Sequence, residues 1–245
     1  MEALRKNSVA VIISTAIILS TIIAAGTFAY VRKTPASGGV VSVTGSRKKE
    51  IRSDYAVWRC EYSAQAETMT AAYAEIRTHY DNVRKFLIDN GISDSEIRQL
   101  AVNTYSVYER NYSGYTTNRI EAYNLSQVVE VRTKDVDKVF EVSKRITELI
   151  DKGINISSYP AQYFYTQIAE LRVEMIALAT QDAKDRAEKI AENSGAKITG
   201  MKSAKAGVFQ ITPLYSNEIS DYGINDTSSI DKEIMAVMNC EFKTR

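Results

Sequence analysis

The apolar and polar positions divide the chain into one unbroken apolar run and a longer, patterned remainder. From Val9 to Val31, VAVIISTAIILSTIIAAGTFAYV, 23 residues pass without a charge. As a helix, such a run extends about 35 Å, enough to cross a bilayer's hydrocarbon core. Beyond it the pattern switches between strand-like alternation and helix-like spacing. VVSVTGSRKKEIRSDYAVWRCEYSAQA predicts two strands, or one long bent strand, broken near Gly45 to Asp54. A helix follows over about 67–89, with Met69, Tyr73, Ile76, Tyr80, Val83 and Leu87 on one side and Asn90-Gly91 as its stop.

IRQLAVNTYSVYER and IEAYNLSQVVEVRT read as strands joined through NYSGYTTN into a hairpin with a rather long loop. A second helix is predicted over about 135–151, ended by Gly153. NISSYPAQYFYT alternates as a strand, with Pro160 marking a bulge or an edge. The longest helix is predicted from Thr166 to Asn193, its stripe Ile168, Leu171, Met175, Leu178 and Ile190 interleaved with Ala179, Ala183, Ala187 and Ala191. ITGMKSAKAGVFQITP and KEIMAVMNCEFKTR complete the strands, separated by the polar stretch LYSNEISDYGINDTSSID. The order β-α-β-β-α-β, then α-β-β, predicts an α+β fold: a mostly antiparallel sheet with three helices on one face, preceded by one transmembrane helix. The expected organisation is a flank at 1–8, an anchor at 9–31, a Pro/Gly/Ser linker at 32–39 and one domain at 40–245.

Charge sharpens the N-terminal reading. Arg5 and Lys6 precede the apolar run, and Arg32 and Lys33 close it. The run is longer than the roughly 7–15 apolar residues of a secretory signal, which favours an uncleaved anchor, although Ala24-Ala25-Gly26 offers a small-residue cleavage site. The basic flank at Arg32, Lys33, Arg47, Lys48 and Lys49 would place the large domain in the cytoplasm, but long domains translocate largely regardless of charge, so charge alone leaves orientation open.

Net charge is +1 over 245 residues, and 25% of residues are charged. Setting aside Glu2, Arg5 and Lys6 leaves 29 basic against 29 acidic residues, so the remainder is neutral. That weakens a nucleic-acid reading of YSVYERNYSGYTTNRIEAYN, where five tyrosines interleave with Arg110 and Arg119. Glu109 and Glu121 cancel those arginines locally. Tyr112 and Tyr115 instead fall in the loop, where packing gives tyrosine no reason to be unless something covers it. With Arg110, Arg119 and the later Tyr215 and Tyr222, they form the candidate interface.

Catalytic chemistry finds little support. His79 is the lone histidine, read either as a general base or as a flanking residue of an amphipathic helix, and the second reading is preferred. No nucleophile elbow, zinc motif, Walker loop or dinucleotide fingerprint is present, so no enzyme, cofactor or metal is expected. Cys60 shares a strand face with Ala56, Trp58 and Tyr62, and Cys240 shares one with Ala236, Met238 and Phe242. Two readings stay open: a disulfide between them, or two separate buried thiols, the latter preferred.

Three stretches carry a family resemblance. VSVTGSRKKEIRSDYAVW has an opening strand with V-x-G and an aspartate-led second strand. IEAYNLSQVVEVRTKDVDKVFEVSKRITELIDKGIN has a strand, an aspartate turn and a helix ending in glycine. ALATQDAKDRAEKIAENSGAKITGM carries the A-x3-DA-x2-RA-x3-A-x3-G pattern. Together they resemble the SIMPL-domain family of bacterial envelope proteins, which includes a mammalian kinase-associated adaptor. Ser53 stands where the family often has proline, and Ala122 where glycine commonly precedes tyrosine. The family has no established catalytic residues. The resemblance implies an exported or membrane-anchored, extracytoplasmic protein at the inner or plasma membrane, assembling into ring- or channel-like homo-oligomers, with some members linked to oxidative-stress defence. The alternative expectation is an adaptor that captures an unidentified protein through the 109–119 tip or the 214–231 loop.

Overall fold

A computed structural model describes the backbone of residues 2–33 and 39–245, with side chains over 14–30 and 39–245. The expected linker at 32–39 therefore lies outside the described residues except at its ends. The architecture is α+β, with two mainly antiparallel sheets and four α-helices among the described residues. The elements are α1 (Glu2–Lys33), β1 (Val40–Arg52), β2 (Tyr55–Ala66), α2 (Met69–Asp89), β3 (Ile97–Arg110), β4 (Thr116–Thr133), α3 (Val136–Arg145), β5 (Asn155–Ser158), β6 (Gln162–Phe164), α4 (Ile168–Asn193), β7 (Ile198–Ala206), β8 (Gln210–Pro213), β9 (Ile224–Asn225) and β10 (Asp231–Thr244).

The chain separates into two compact units. One comprises 1–45, 183–205 and 239–245; the other comprises 46–182 and 206–238. The expected single region at 40–245 is shared between them. Where one sheet was expected there are two. One follows the order β1-β10-β8-β9 with β7 also on β10; the other follows β3-β4-β2-β5 with β6 also on β2. The β8–β9 pair is parallel.

The second sheet carries the core of the larger unit. Alternation along β2 sends Ala56, Trp58, Cys60, Tyr62 and Ala64 to one buried face. They join Ile76, Val83 and Leu87 of α2, Val139 and Val142 of α3, and Leu125, Val129 and Val131 of β4 in one apolar cluster. Thr68 caps α2 by accepting from the Ala71 N–H at 3.2 Å, and Gly91 supplies the left-handed exit at φ 85°. Asp135 likewise caps α3 by accepting from the Lys138 N–H at 3.0 Å.

The predicted second helix is correct in extent but not in form. It is α-helical to Arg145 and then tightens into a 3-10 helix over Ile146–Lys152, which still buries Ile146 and Leu149. The strand expected in NISSYPAQYFYT is split, because Pro160 interrupts β5 and β6, which pair with different parts of β2. Along α4 the buried series is Leu171, Met175, Ala179, Ala183, Ala187 and Ala191, at an i+4 spacing; Ile190, expected in the stripe, is exposed. Among the described residues no helix is long and apolar enough to cross a membrane. The seventeen residues of α1 with described side chains, 14–30, extend only about 26 Å, and the expected span at 9–31 reaches beyond them at both ends.

Candidate functional site

The residues expected at an interface lie on two separate segments of the larger unit. The first is the β3–β4 hairpin, whose tip is Asn111–Tyr115. Asn111 closes that tip: its side-chain oxygen accepts from the Ser113 N–H at 3.1 Å and the Tyr115 N–H at 2.9 Å. The Gly114 N–H donates to the Asn111 carbonyl at 2.9 Å, with Gly114 at φ 82°, the left-handed position such a turn demands. The fold of the tip thus rests on asparagine and glycine and asks nothing of the tyrosines. Tyr112 is fully exposed and Tyr115 is 72% exposed. Tyr105 and Tyr108, on β3, are both exposed as well. Arg119 sits 3.6 Å from Glu109 at the surface, and Arg110 is exposed opposite Thr116.

The second segment is the stretch between β8 and β10. Buried Gln210 grips it from β8, donating to the Ser220 carbonyl at 2.6 Å and accepting from the Ser220 N–H at 3.4 Å. Asp226 accepts from the N–H and hydroxyl of both Ser228 and Ser229. Burial pushes the Asp226 carboxyl up, but those donors and Lys232 outweigh it and hold it below the usual range. Gly223, at φ 84°, passes so close to β8 that a Cβ there would lie 2.8 Å from the Phe209 carbonyl oxygen. Tyr215 and Tyr222 protrude from this frame almost wholly exposed, Tyr215 with a left-handed backbone at φ 63°.

Lys232 is the residue that sequence reasoning missed. It is 2% exposed, and its ammonium donates to the Tyr163 carbonyl at 2.7 Å and the Asp226 carbonyl at 2.5 Å. Its place in step with Ile234, Ala236 and Met238 was the available signal: a lysine on an apolar strand face must find partners. A small cavity of about 140 Å³ lies beside it, lined among others by Tyr165, Arg172 and Asn225.

His79 is buried instead of flanking. Its Nδ1 lies 3.1 Å from the Ser63 carbonyl and its Nε2 3.7 Å from Glu75, an arrangement that ties α2 to β2. Cys60 and Cys240 are free, buried thiols on strands of different sheets, so the two strands do not pair with each other. Burial pushes the Cys60 thiol up to about 12, which keeps it protonated and unreactive. Among the described residues no group of histidine, cysteine and carboxylate side chains could hold a metal.

A family model for SIMPL, described as a protein of unknown function (DUF541), matches residues 41–234. No curated protein matches the chain. A solved structure, of a protein provisionally assigned as an aminohydrolase from methicillin-resistant Staphylococcus aureus, is similar at 13% identity. That similarity covers 61% of this chain and 40% of that one, with a TM-score of 0.24, too low to support an argument about fold or activity. The family match spans most of the chain and includes all three sequence stretches that carry the resemblance in part or whole; the chain belongs to the SIMPL family.

Proposed function

We propose that this is a non-enzymatic, membrane-anchored envelope protein whose SIMPL domain self-assembles into a ring- or channel-like homo-oligomer. The observation that carries the assembly is the hairpin. β3 is the edge strand of its sheet, mostly exposed over fourteen residues, and it ends in a tip that displays uncovered tyrosines on a turn closed by other residues. An open edge is a template for pairing, and tyrosine buries a large ring at small entropic cost. Neither feature serves the isolated chain.

Membrane attachment is supported by α1. Its described side chains are exposed and uncharged, and no polar face stands out against the apolar residues. The hydroxyls of Ser20, Thr21 and Thr27 donate back to carbonyls three or four residues earlier, as a lipid environment requires. We place the SIMPL domain outside the cytoplasm, at the inner or plasma membrane. The test is the mass of the full chain in detergent by multi-angle light scattering, with electron microscopy of the same sample. Discrete closed particles are expected, and a strict monomer at about 10 μM protein, where a micromolar interface would be largely filled, overturns the assembly.

A second reading, an adaptor that captures another protein, is favoured by one observation: Tyr215 and Tyr222 are uncovered on a segment held in place by Gln210 and Asp226. A preorganised aromatic loop loses little entropy on binding.

A further inference from the structure

The face of β2 and β4 directed away from the core carries an arrangement that neither assembly nor anchoring uses. Strand register places Arg59 directly across from Glu130 on one side, and Arg98 across from Glu130 on the other. Arg132 follows two residues along β4 on the same face. The Glu130 side chain is only 3% exposed, because two guanidinium groups close over it. One of its oxygens accepts from Arg59 Nε at 2.8 Å and Nη2 at 2.7 Å, and the other accepts from Arg132 Nε at 2.5 Å.

The carboxylate is fully used in holding the two arginines, but the arginines are not fully used in holding it. Each guanidinium has five N–H donors in a fixed fork, and both remain about half exposed. Arg98 is exposed and has no partner among the described residues. Glu61, next along the face, is engaged by the Tyr159 hydroxyl at 2.5 Å. Three cations against two carboxylates leave this patch positive on a neutral domain. A cross-strand ion pair made for stability needs one arginine per carboxylate.

Beside Arg59 lies a cleft of about 340 Å³, lined by Val57, Arg59, Val128, Tyr159, Pro160 and Gln162, and Arg132 stands across from its Val57 in strand register. It exists because Pro160 breaks the strand: β5 pairs with residues 60–63 of β2 and β6 with 55–57, so the chain between them lifts away. Its floor is valine and one wall is the Tyr159 ring, fixed by the bond to Glu61. Clefts of this size, mostly apolar with a few placed polar groups, suit small ligands.

We propose that this cleft binds a small oxyanion with an aromatic or apolar body, a carboxylate or phosphate monoester, its charged end on Arg59 and Arg132 and its body between Val128 and Tyr159. A guanidinium fork can donate in parallel to two oxygens of such an oxyanion, and Glu130 preorganises the forks. The test titrates phenyl phosphate and inorganic phosphate into the full chain in mild detergent, by calorimetry at low salt. Phenyl phosphate is expected to saturate with a Kd of about 1 mM or tighter, and inorganic phosphate to bind about tenfold more weakly. Arg132→Gln leaves the Arg59–Glu130 pair intact and should still fold; it is expected to weaken phenyl phosphate about tenfold. Arg98→Gln removes an unpartnered side chain and should weaken binding less. Absence of saturation, equal affinity for the two probes, or affinity unchanged in both variants overturns the proposal.

Discussion

Lys232 sits where the alternation of Ile234, Ala236 and Met238 calls for an apolar side chain. Burial lowers its amine from the ordinary range, and Asp226 offsets part of that. What keeps the charge inside is a pair of backbone carbonyls, one in β6 and one in the loop before β10, so a single side chain pins two segments together. Lys232→Met keeps the stem and removes the donors, leaving both carbonyls short of a partner. We expect a loss of about 2–3 kcal/mol in denaturant unfolding. A loss below about 0.5 kcal/mol would show that water replaces the ammonium. Tyr62 illustrates the same rule in a neutral group: it is buried in the core and donates to Gln127 at 2.7 Å, so its hydroxyl costs little there.

At the scale of elements, the sequence was most legible where a cap or a period leaves little choice. Helix α2 stops at Asn90-Gly91 as expected, and β3 has the bounds of its alternating run. Legibility failed where an element's end depends on what it packs against, as in the 3-10 continuation of α3 and the split at Pro160. It failed also for β4, where Glu130 is buried on a face that alternation assigns to solvent. Burial pushes that carboxyl up, while Arg59 and Arg132 pull it down further, for a net lowering. A depressed carboxylate stabilises the fold above its unfolded value, near about 4.3, and the contribution is lost as pH falls through the lowered value. Between about pH 5 and 3, the wild type should therefore lose more stability than Glu130→Gln, measured as the shift of the urea midpoint. Parallel losses in the two proteins would assign the acid sensitivity elsewhere.

For the whole molecule, the decisive surface is the hairpin tip. Because Asn111 and Gly114 build the turn, replacing Tyr112 and Tyr115 together by alanine should leave the unfolding midpoint within about 0.5 kcal/mol of the wild type. The same variant is expected to shift the full chain in detergent towards monomers, read by sedimentation velocity. If the assembled mass is unchanged, the tip is not the subunit contact. The second reading is separated by the same experiment on Tyr215 and Tyr222, whose loss should leave the mass alone and remove a heterologous partner instead.

Sequence alone determined the α+β class, the family, the order of the helices and the longer strands, and the uncharged run at 9–31. The family follows from the three motif-bearing stretches, and the rest from periodicity, caps and composition, which act over a few neighbouring residues. It also singled out Tyr112 and Tyr115, since a turn signal with tyrosine in it is visible locally. Only the tertiary structure decided that the strands form two sheets, that Cys60 and Cys240 lie on strands of different sheets, and that Lys232 is satisfied in the interior. It alone brought Arg59 and Arg98, far apart in the chain, to the register positions on either side of Glu130. Strand register sets those meetings, and register comes from the packing of the buried face as a whole, a property no short window of residues contains.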